Sequence, residues 1–444
     1  MPTGPAGRGD ETVLSLDLAI ELALERSQSL RRETLSVDIA RAELDQARAA
    51  FGPSVSGSIG TAWITNPPDG ITIPAGEFGT VSDPTSTFPT RVPEQPVELV
   101  PDPENLGLSA SVLLEQPLFT WGKLRAGERG AVAGVDASLA RRDTQGRAVR
   151  RDVTKAYVGL LAARASVELV SEIVTVQEER VDDARRQFDA GASTRRAVLA
   201  ESSALAAARS QLVRATQSAR TAASAVRWYT GVAPERVLEP TLPSQLPDEP
   251  ELVRRATEGH PRLAELRARR EQAGVQRAVS EASAPFLPDF GLRVEAEVQG
   301  QRLPLIQSNW IDSWDANLTI SIGASASLYD GGRNRASQAS SQAQVEQALS
   351  AIAEYTDAIP LEVRATLERF VLARTSEQEA LASLEEAREQ LRIARVSREN
   401  ELISQAEARA AEIPVLQARL LIIAARADAG AAVADLEYIV GPLR

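Results

Sequence analysis

The side chains that most often do chemistry are scarce in this chain. His260 is the only histidine, and there is no cysteine. A lone histidine cannot build a two-histidine metal site. Without thiols there is no thiolate metal site, cysteine nucleophile or disulfide. No Gly-x-x-x-x-Gly-Lys-Ser/Thr loop, zinc motif or Ser/His/Asp arrangement occurs. His260 precedes Pro261 at the start of a helical pattern, which suits a structural role. The expectation is a protein that is not an enzyme, with no catalytic residue, no cofactor and no metal ligand. The polar side chains with a telling pattern are Arg293, Glu295, Glu297 and Gln299, which alternate with apolar neighbours. Such a row shares one face of a strand and can line water.

The elements that would position these residues follow from the rest of the composition. The chain has 444 residues, with 61 acidic and 49 basic side chains, a net of −12, which argues against a nucleic-acid partner. The start, MPTGPAGRGDETVLSL, shows no signal-peptide pattern, and its Arg8-Gly9-Asp10 triplet reads as part of a flexible tail, residues 1–12. No run of about 20 apolar residues occurs, which excludes a transmembrane helix but not a transmembrane β-barrel. Eleven of the 18 aromatic residues fall in two windows, 51–121 and 286–329. Elsewhere Ala, Leu, Arg, Glu and Gln dominate, all good helix formers.

Inside the windows the apolar period is two. Phe290, Leu292, Val294, Ala296 and Val298 alternate with polar residues, and so do Leu318, Ile320, Ile322, Ala324, Ala326 and Leu328. Val55, Ile59 and Trp63 share one face opposite Ser54, Ser56 and Ser58, and Leu106, Leu108, Ala110, Val112 and Leu114 share another. These predict four strands of about ten residues, each apolar on one side. A soluble antiparallel sheet on a core fits this pattern. So does a sheet with lipid outside and water inside, with Trp63, Trp121, Trp310 and Trp314 near the interfaces.

The segment Leu118-Phe119-Thr120-Trp121-Gly122-Lys123 recurs as Leu328-Tyr329-Asp330-Gly331-Gly332-Arg333, an offset of 210 that holds without a gap from 118 to 231. Pro53 and Pro288 match at an offset of 235, so the first hairpin loop is longer by 25 residues, in the Pro- and Gly-rich run 66–104. The expected organisation is a first repeat over 13–231 with hairpin 54–120, a Pro-rich linker 232–249, and a second repeat over 250–444 with hairpin 289–329. Helices are predicted near 14–50, 122–190 and 194–230, then near 250–283, 333–402 and 405–439. Pro360 should kink or interrupt the long helix around it. A helix of 69 residues would span about 104 Å, turn at Gly191 and return. The two outer helices of 37 residues would together match its length. The fold class is therefore mainly α with a small β part: a long helical rod plus four strands, with an internal two-fold repeat.

Four amphipathic strands cannot close a barrel alone, and open edges cannot sit in lipid. The Ala-rich helix surface, including Ala197, Ala200, Ala204, Ala207 and Ala208, likewise needs neighbours.

The pattern resembles the outer-membrane efflux proteins, the TolC family, over about residues 13–441. The resemblance rests on Phe188-x-x-Gly191-x-x-Thr194 followed by Val198, Leu199, Glu201 and Leu205. It also rests on the helix–Pro–strand junctions at Pro53 and Pro288 and on the Leu-aromatic-x-x-Gly-basic segments at 118 and 328. It implies a homotrimer whose twelve strands form one barrel in outer-membrane lipid, and a helical barrel or coiled-coil tunnel through the periplasm. It further implies work with a periplasmic adaptor (membrane fusion) protein and an inner-membrane pump, exporting drugs, metals or, as in type I secretion, proteins. A signal peptide, which such a protein needs, is not visible in the chain.

By the same resemblance the periplasmic tips fall at Phe188, Gly191 and Thr194 and at Arg398, Glu401 and Ser404. In the second tip Arg398 replaces the aromatic residue and Glu401 the glycine, while Glu407 stands at the family's acidic position. Glu399, Glu401 and Glu407 would then ring a narrow mouth in threefold and favour cations. Arg293, Glu295, Glu297 and Gln299 would face the barrel lumen. The alternative is a soluble coiled-coil scaffold with a small β domain.

Overall fold

The computed structural model describes residues 13–63, 65–66, 69, 71–81, 90–100, 106–241, 243, 245–284, 286–300 and 314–443. The tail 1–12 with its Arg8-Gly9-Asp10 triplet, and Trp310, lie outside them. In chain order the elements are β1 (Val13–Leu14), α1 (Leu16–Arg26), α2 (Gln28–Ala49), β2 (Ser54–Trp63), β3 (Ile71–Ile73), β4 (Thr80–Val81), β5 (Thr90–Arg91), β6 (Val97–Val100) and β7 (Leu106–Phe119). Then come α3 (Lys123–Asp189), α4 (Arg195–Thr230), β8 (Arg236–Val237), α5 (Glu249–Gly259), α6 (Pro261–Ala282), β9 (Asp289–Gly300), β10 (Trp314–Ser325), α7 (Arg333–Glu399), α8 (Gln405–Ala410) and α9 (Glu412–Val440). The fold is mainly helical with a small β part, as the residue pattern predicts. It divides into two compact units. One comprises the chain up to Ala42, Ala131–Ala273 and Ala343 onward; the other comprises Glu43–Gly130 and Gly274–Gln342.

The helical unit differs from the predicted helices at three breaks. Ser27 ends α1, and its hydroxyl accepts the Leu30 N–H to start α2. His260 precedes Pro261, which forces it into an extended conformation (φ −73°, ψ 119°) and begins α6. Ala411 separates α8 from α9, because Pro414 has no N–H for the Ala410 carbonyl. Pro360, in contrast, lies inside an unbroken α7. The fully buried Ile359 and Val363 flank it and pack with Leu252, Leu263, Leu436 and Ile439. That packing outweighs the ~3 kcal/mol a mid-helix proline costs.

A second core joins Leu14, Ala19, Val153, Tyr157 and Val226. The Tyr157 hydroxyl lies 2.7 Å from the Leu14 and Leu238 carbonyls and accepts the Leu238 N–H, which fastens the parallel β1–β8 pair. Further along, Leu169, Ile173 and Val174 of α3, Ala208 of α4 and Leu416 of α9 form one cluster. Phe370 and Ala373 of α7 pack on Ala429, Ala432 and Val433 of α9.

In the other unit one antiparallel sheet runs in the order β10-β9-β7-β2. The run 66–104, expected as an exposed loop, carries two short antiparallel pairs, β3 with β6 and β4 with β5.

Candidate functional site: an amphipathic sheet and two helix turns

The ladder register fixes which residues of the sheet share a face, because hydrogen-bonded partners point the same way and successive residues alternate. One face carries the rows Val55–Leu114–Val294–Ile320, Gly57–Val112–Ala296–Leu318 and Ile59–Ala110–Val298–Ala316. The other carries Ser54–Glu115–Arg293–Ser321, Ser56–Leu113–Glu295–Thr319, Ser58–Ser111–Glu297–Asn317 and Gly60–Ser109–Gln299–Asp315. Arg293, Glu295, Glu297 and Gln299 thus share the polar face, where Leu113 is the exception. The Ser58 and Ser111 hydroxyls meet at 2.8 Å, and the Arg293 guanidinium lies 3.9 Å from Glu115 and 3.6 Å from Glu295.

Among the described residues no core covers the apolar face. Ile59 is 90% exposed, and Val55, Val112, Leu318, Ile320 and Ile322 are all more than half exposed. Removing six such side chains from water is worth on the order of 10 kcal/mol, so the face is built to meet an apolar medium. Among the described residues β2 and β10 each pair on one side only, which leaves two open edges.

The helical unit holds the two turns. Gly191 takes φ +73°; its N–H donates to the Phe188 carbonyl, and the Ala192 N–H donates to the Gln187 carbonyl. Glu401 takes φ +62°; its N–H donates to the Arg398 carbonyl, and the Leu402 N–H donates to the Ser397 carbonyl. Both are Schellman caps, and their hydrogen bonds correspond at the offset of 210. The second turn therefore keeps its geometry without a glycine. The Thr194 hydroxyl accepts the Ala197 N–H and the Ser404 hydroxyl accepts the Glu407 N–H, so each caps the returning helix.

The three carboxylates differ in circumstance. The Glu407 carboxylate accepts hydrogen bonds from the Ser404 backbone N–H (2.8 Å) and hydroxyl (2.9 Å), which hold its pKa below the usual carboxylate range and complete a capping box. Glu399 and Glu401 stand at the C-terminal end of α7, where the helix dipole and, for Glu401, a left-handed backbone both oppose an acidic residue.

A linkage beside the turns escapes sequence inspection. Arg409 of α8 reaches α3, 3.1 Å from Glu179 and 3.3 Å from the buried Asp183, which also pairs with Arg186. Asp183 and Arg409 are 226 positions apart, and no local pattern links them. Only Pro414, which shortens α8 to one capped segment, hints that this stretch differs from α4.

His260 is buried and held by contacts within the fold. Its Nδ1 accepts the Arg262 N–H at 3.1 Å, so the proton sits on Nε2, 3.0 Å from the Tyr355 hydroxyl. Burial, then the nearby Arg147 and Arg262 charges, lowers its pKa to about 4. Among the described residues no group of His, Cys, Asp and Glu could hold a metal ion.

The chain is similar in fold to VceC, an outer membrane protein of Vibrio cholerae, with 20% identity over 96% of each chain and a TM-score of 0.74. It is similar to the CmeC outer membrane channel of Campylobacter jejuni, with 15% identity over 96% of this chain and 85% of that one and a TM-score of 0.75. The open-state MtrE channel of Neisseria gonorrhoeae gives 18%, 96% and 88%, and a TM-score of 0.69. No curated protein matches the sequence. The sequence pattern of one family, described as outer membrane efflux protein, matches residues 19–232 and 252–442. These two spans take in both turns and all four strands of the sheet, and on that match the chain belongs to the outer membrane efflux protein family.

Proposed function

We infer that three copies of this chain form a passive channel-tunnel, with a twelve-stranded barrel in the outer membrane and the helices in the periplasm. Membership of the family makes the chain an outer-membrane export duct; the assembly and its surroundings are our proposal. The observation that carries it is the sheet, with an uncovered apolar face and two open edges. Lipid suits the face, and neighbouring copies suit the edges. Exposed apolar side chains on the helices, among them Leu199, Val213, Leu361 and Leu372, ask for the same neighbours. A soluble scaffold would have no use for an uncovered apolar sheet face.

On this reading Arg293, Glu295, Glu297 and Gln299 line the lumen, and the protein carries out no chemistry of its own. A periplasmic adaptor and an inner-membrane pump dock to it and supply cargo and energy. Residues 13–231 and 250–444 are copies of one unit, joined by the linker 232–249; the matched turn hydrogen bonds at one offset support this. The turns at 188–194 and 398–404 mark the periplasmic tips, and Glu399, Glu401 and Glu407 the mouth. Light scattering on the protein in detergent tests the assembly: a trimer is expected, and a folded monodisperse monomer overturns it. Single-channel recordings test the mouth. Glu401→Gln and Glu407→Gln should each weaken cation selectivity and block by trivalent cations; unchanged values remove that residue from the mouth.

A further inference from the structure

The end of the sheet where β7 and β10 finish carries more than a lipid-facing surface requires. A tight turn leads from each strand's end into the next helix, directly after β7 and five residues beyond β10. Trp121 and Gly122 take positive φ in the first, and Gly331 and Gly332 in the second. Exposed aromatic and apolar side chains gather here, including Phe119, Phe286, Leu328 and Tyr329, the last 87% exposed. Trp121 is fixed among them. Its indole N–H donates to the Pro288 carbonyl at 2.8 Å, and its ring meets Phe119 edge-on at 5.0 Å.

Immediately beyond this belt the sign of the charge reverses. The chain carries a net −12, yet no acidic residue occurs over 116–127 or 331–345, while Lys123, Arg125, Arg333 and Arg335 all do. Lys123 is taken by Asp289 at 2.6 Å. Arg125, Arg129, Arg333 and Arg335 are exposed, and their side chains make no ion pair or hydrogen bond among the described residues. Local structure does not ask for Arg125, Arg333 and Arg335, since the dipole opposes cations in the first turn of a helix.

We propose that Arg125, Arg129, Arg333 and Arg335 form a basic collar that binds the phosphate headgroups of anionic phospholipid in the leaflet on the helix side of the sheet. This rests on the reading that the apolar face lies in the membrane. Two features select the occupant. The collar is continuous with that face through the aromatic belt, where amphipathic rings sit at headgroup depth. Guanidinium groups match phosphate oxygens two at a time. A basic side chain at a membrane surface contributes about 1 kcal/mol, or roughly fivefold in affinity.

The test is binding of fluorescent phosphatidylglycerol to the full chain in neutral detergent, with competition by unlabelled phosphatidylglycerol, phosphatidylcholine or inorganic phosphate. Phosphatidylglycerol should compete best. The variant Arg125→Gln/Arg333→Gln/Arg335→Gln, checked by circular dichroism and elution volume, should lose that preference by at least tenfold. The collar is overturned if the two lipids compete equally, if inorganic phosphate competes as well as lipid, or if the folded variant keeps the preference. Binding of both lipids alike refutes only the collar. No lipid binding at all, with a monomeric chain, refutes the membrane reading beneath it.

Discussion

Replacing Glu401 by glycine should stabilise the second turn, and replacing Gly191 by alanine should weaken the first. Both positions are left-handed, at φ +62° and +73°, with the same pair of hydrogen bonds closing each cap. An L-residue there costs ~1–2 kcal/mol relative to glycine, and the freer unfolded chain of glycine offsets ~0.4–1 kcal/mol of it. The net is about 1 kcal/mol, roughly fivefold in a local opening equilibrium. A methyl group on Gly191 meets nothing within 4 Å, so only the backbone is tested there. Removing the Glu401 charge also relieves a dipole term, so the comparison is Glu401→Gly against Glu401→Ala. The assay is hydrogen exchange at the Leu402 and Ala192 amides, corrected for intrinsic rates. Leu402 should be about fivefold better protected in Glu401→Gly than in Glu401→Ala, and Ala192 about fivefold less protected in Gly191→Ala. Equal protection at both sites would refute the strain argument.

Three further outcomes are expected. His260, buried among Arg147, Arg262, Asp143, Tyr355 and Tyr438, has its folded pKa lowered to about 4 from 6.5. The unfolded chain then binds the extra proton first, so stability should fall by ~3 kcal/mol between pH 6.5 and 4; unfolding midpoints measured against pH should flatten in that window for His260→Asn. Val294→Arg, on the apolar face with Leu114 and Ile320, should destabilise the sheet in lipid by about 2–4 kcal/mol near the midplane, while Glu295→Arg is tolerated; similar denaturation curves for the two would mean the faces are misassigned. Arg409→Ala should cost about 1–3 kcal/mol by depriving the buried Asp183 of one of its two arginine partners, with Asp183→Asn restoring part of the loss; denaturant midpoints of the single and double variants check it.

How far the residues announce this molecule depends on the range of the interactions. The four strands and the long helices are legible because a period of two or of 3.6 is a local property, as in Phe290 to Val298. The breaks at His260 and Ala411 are legible in principle from Pro261 and Pro414. Pro360 misleads because the packing of Ile359 and Val363 is tertiary, and no window around the proline contains Leu436. The second turn is legible only through its repeat partner, since Glu401 in a left-handed conformation breaks the local rule. The salt bridge from Arg409 to Asp183 and the unpaired arginines beyond the belt depend on distant chain meeting in space. The acid-free runs 116–127 and 331–345 record the arginines' charge but not their lack of partners, and no sequence pattern records the salt bridge.

The order in which the chain supplies its parts has a consequence for how the protein is made. The sheet joins β7 to β9, and the whole of α3, α4, α5 and α6 is synthesised between them. The first hairpin therefore emerges with an open edge and an uncovered apolar face long before its partner exists. A nascent chain of this kind cannot mature segment by segment. The core around Leu252 is complete only when α9 has delivered Leu436 and Ile439. Chains stalled before β9 should be the aggregation-prone species in the cell, and a folding helper would find its target in the exposed edge of β7.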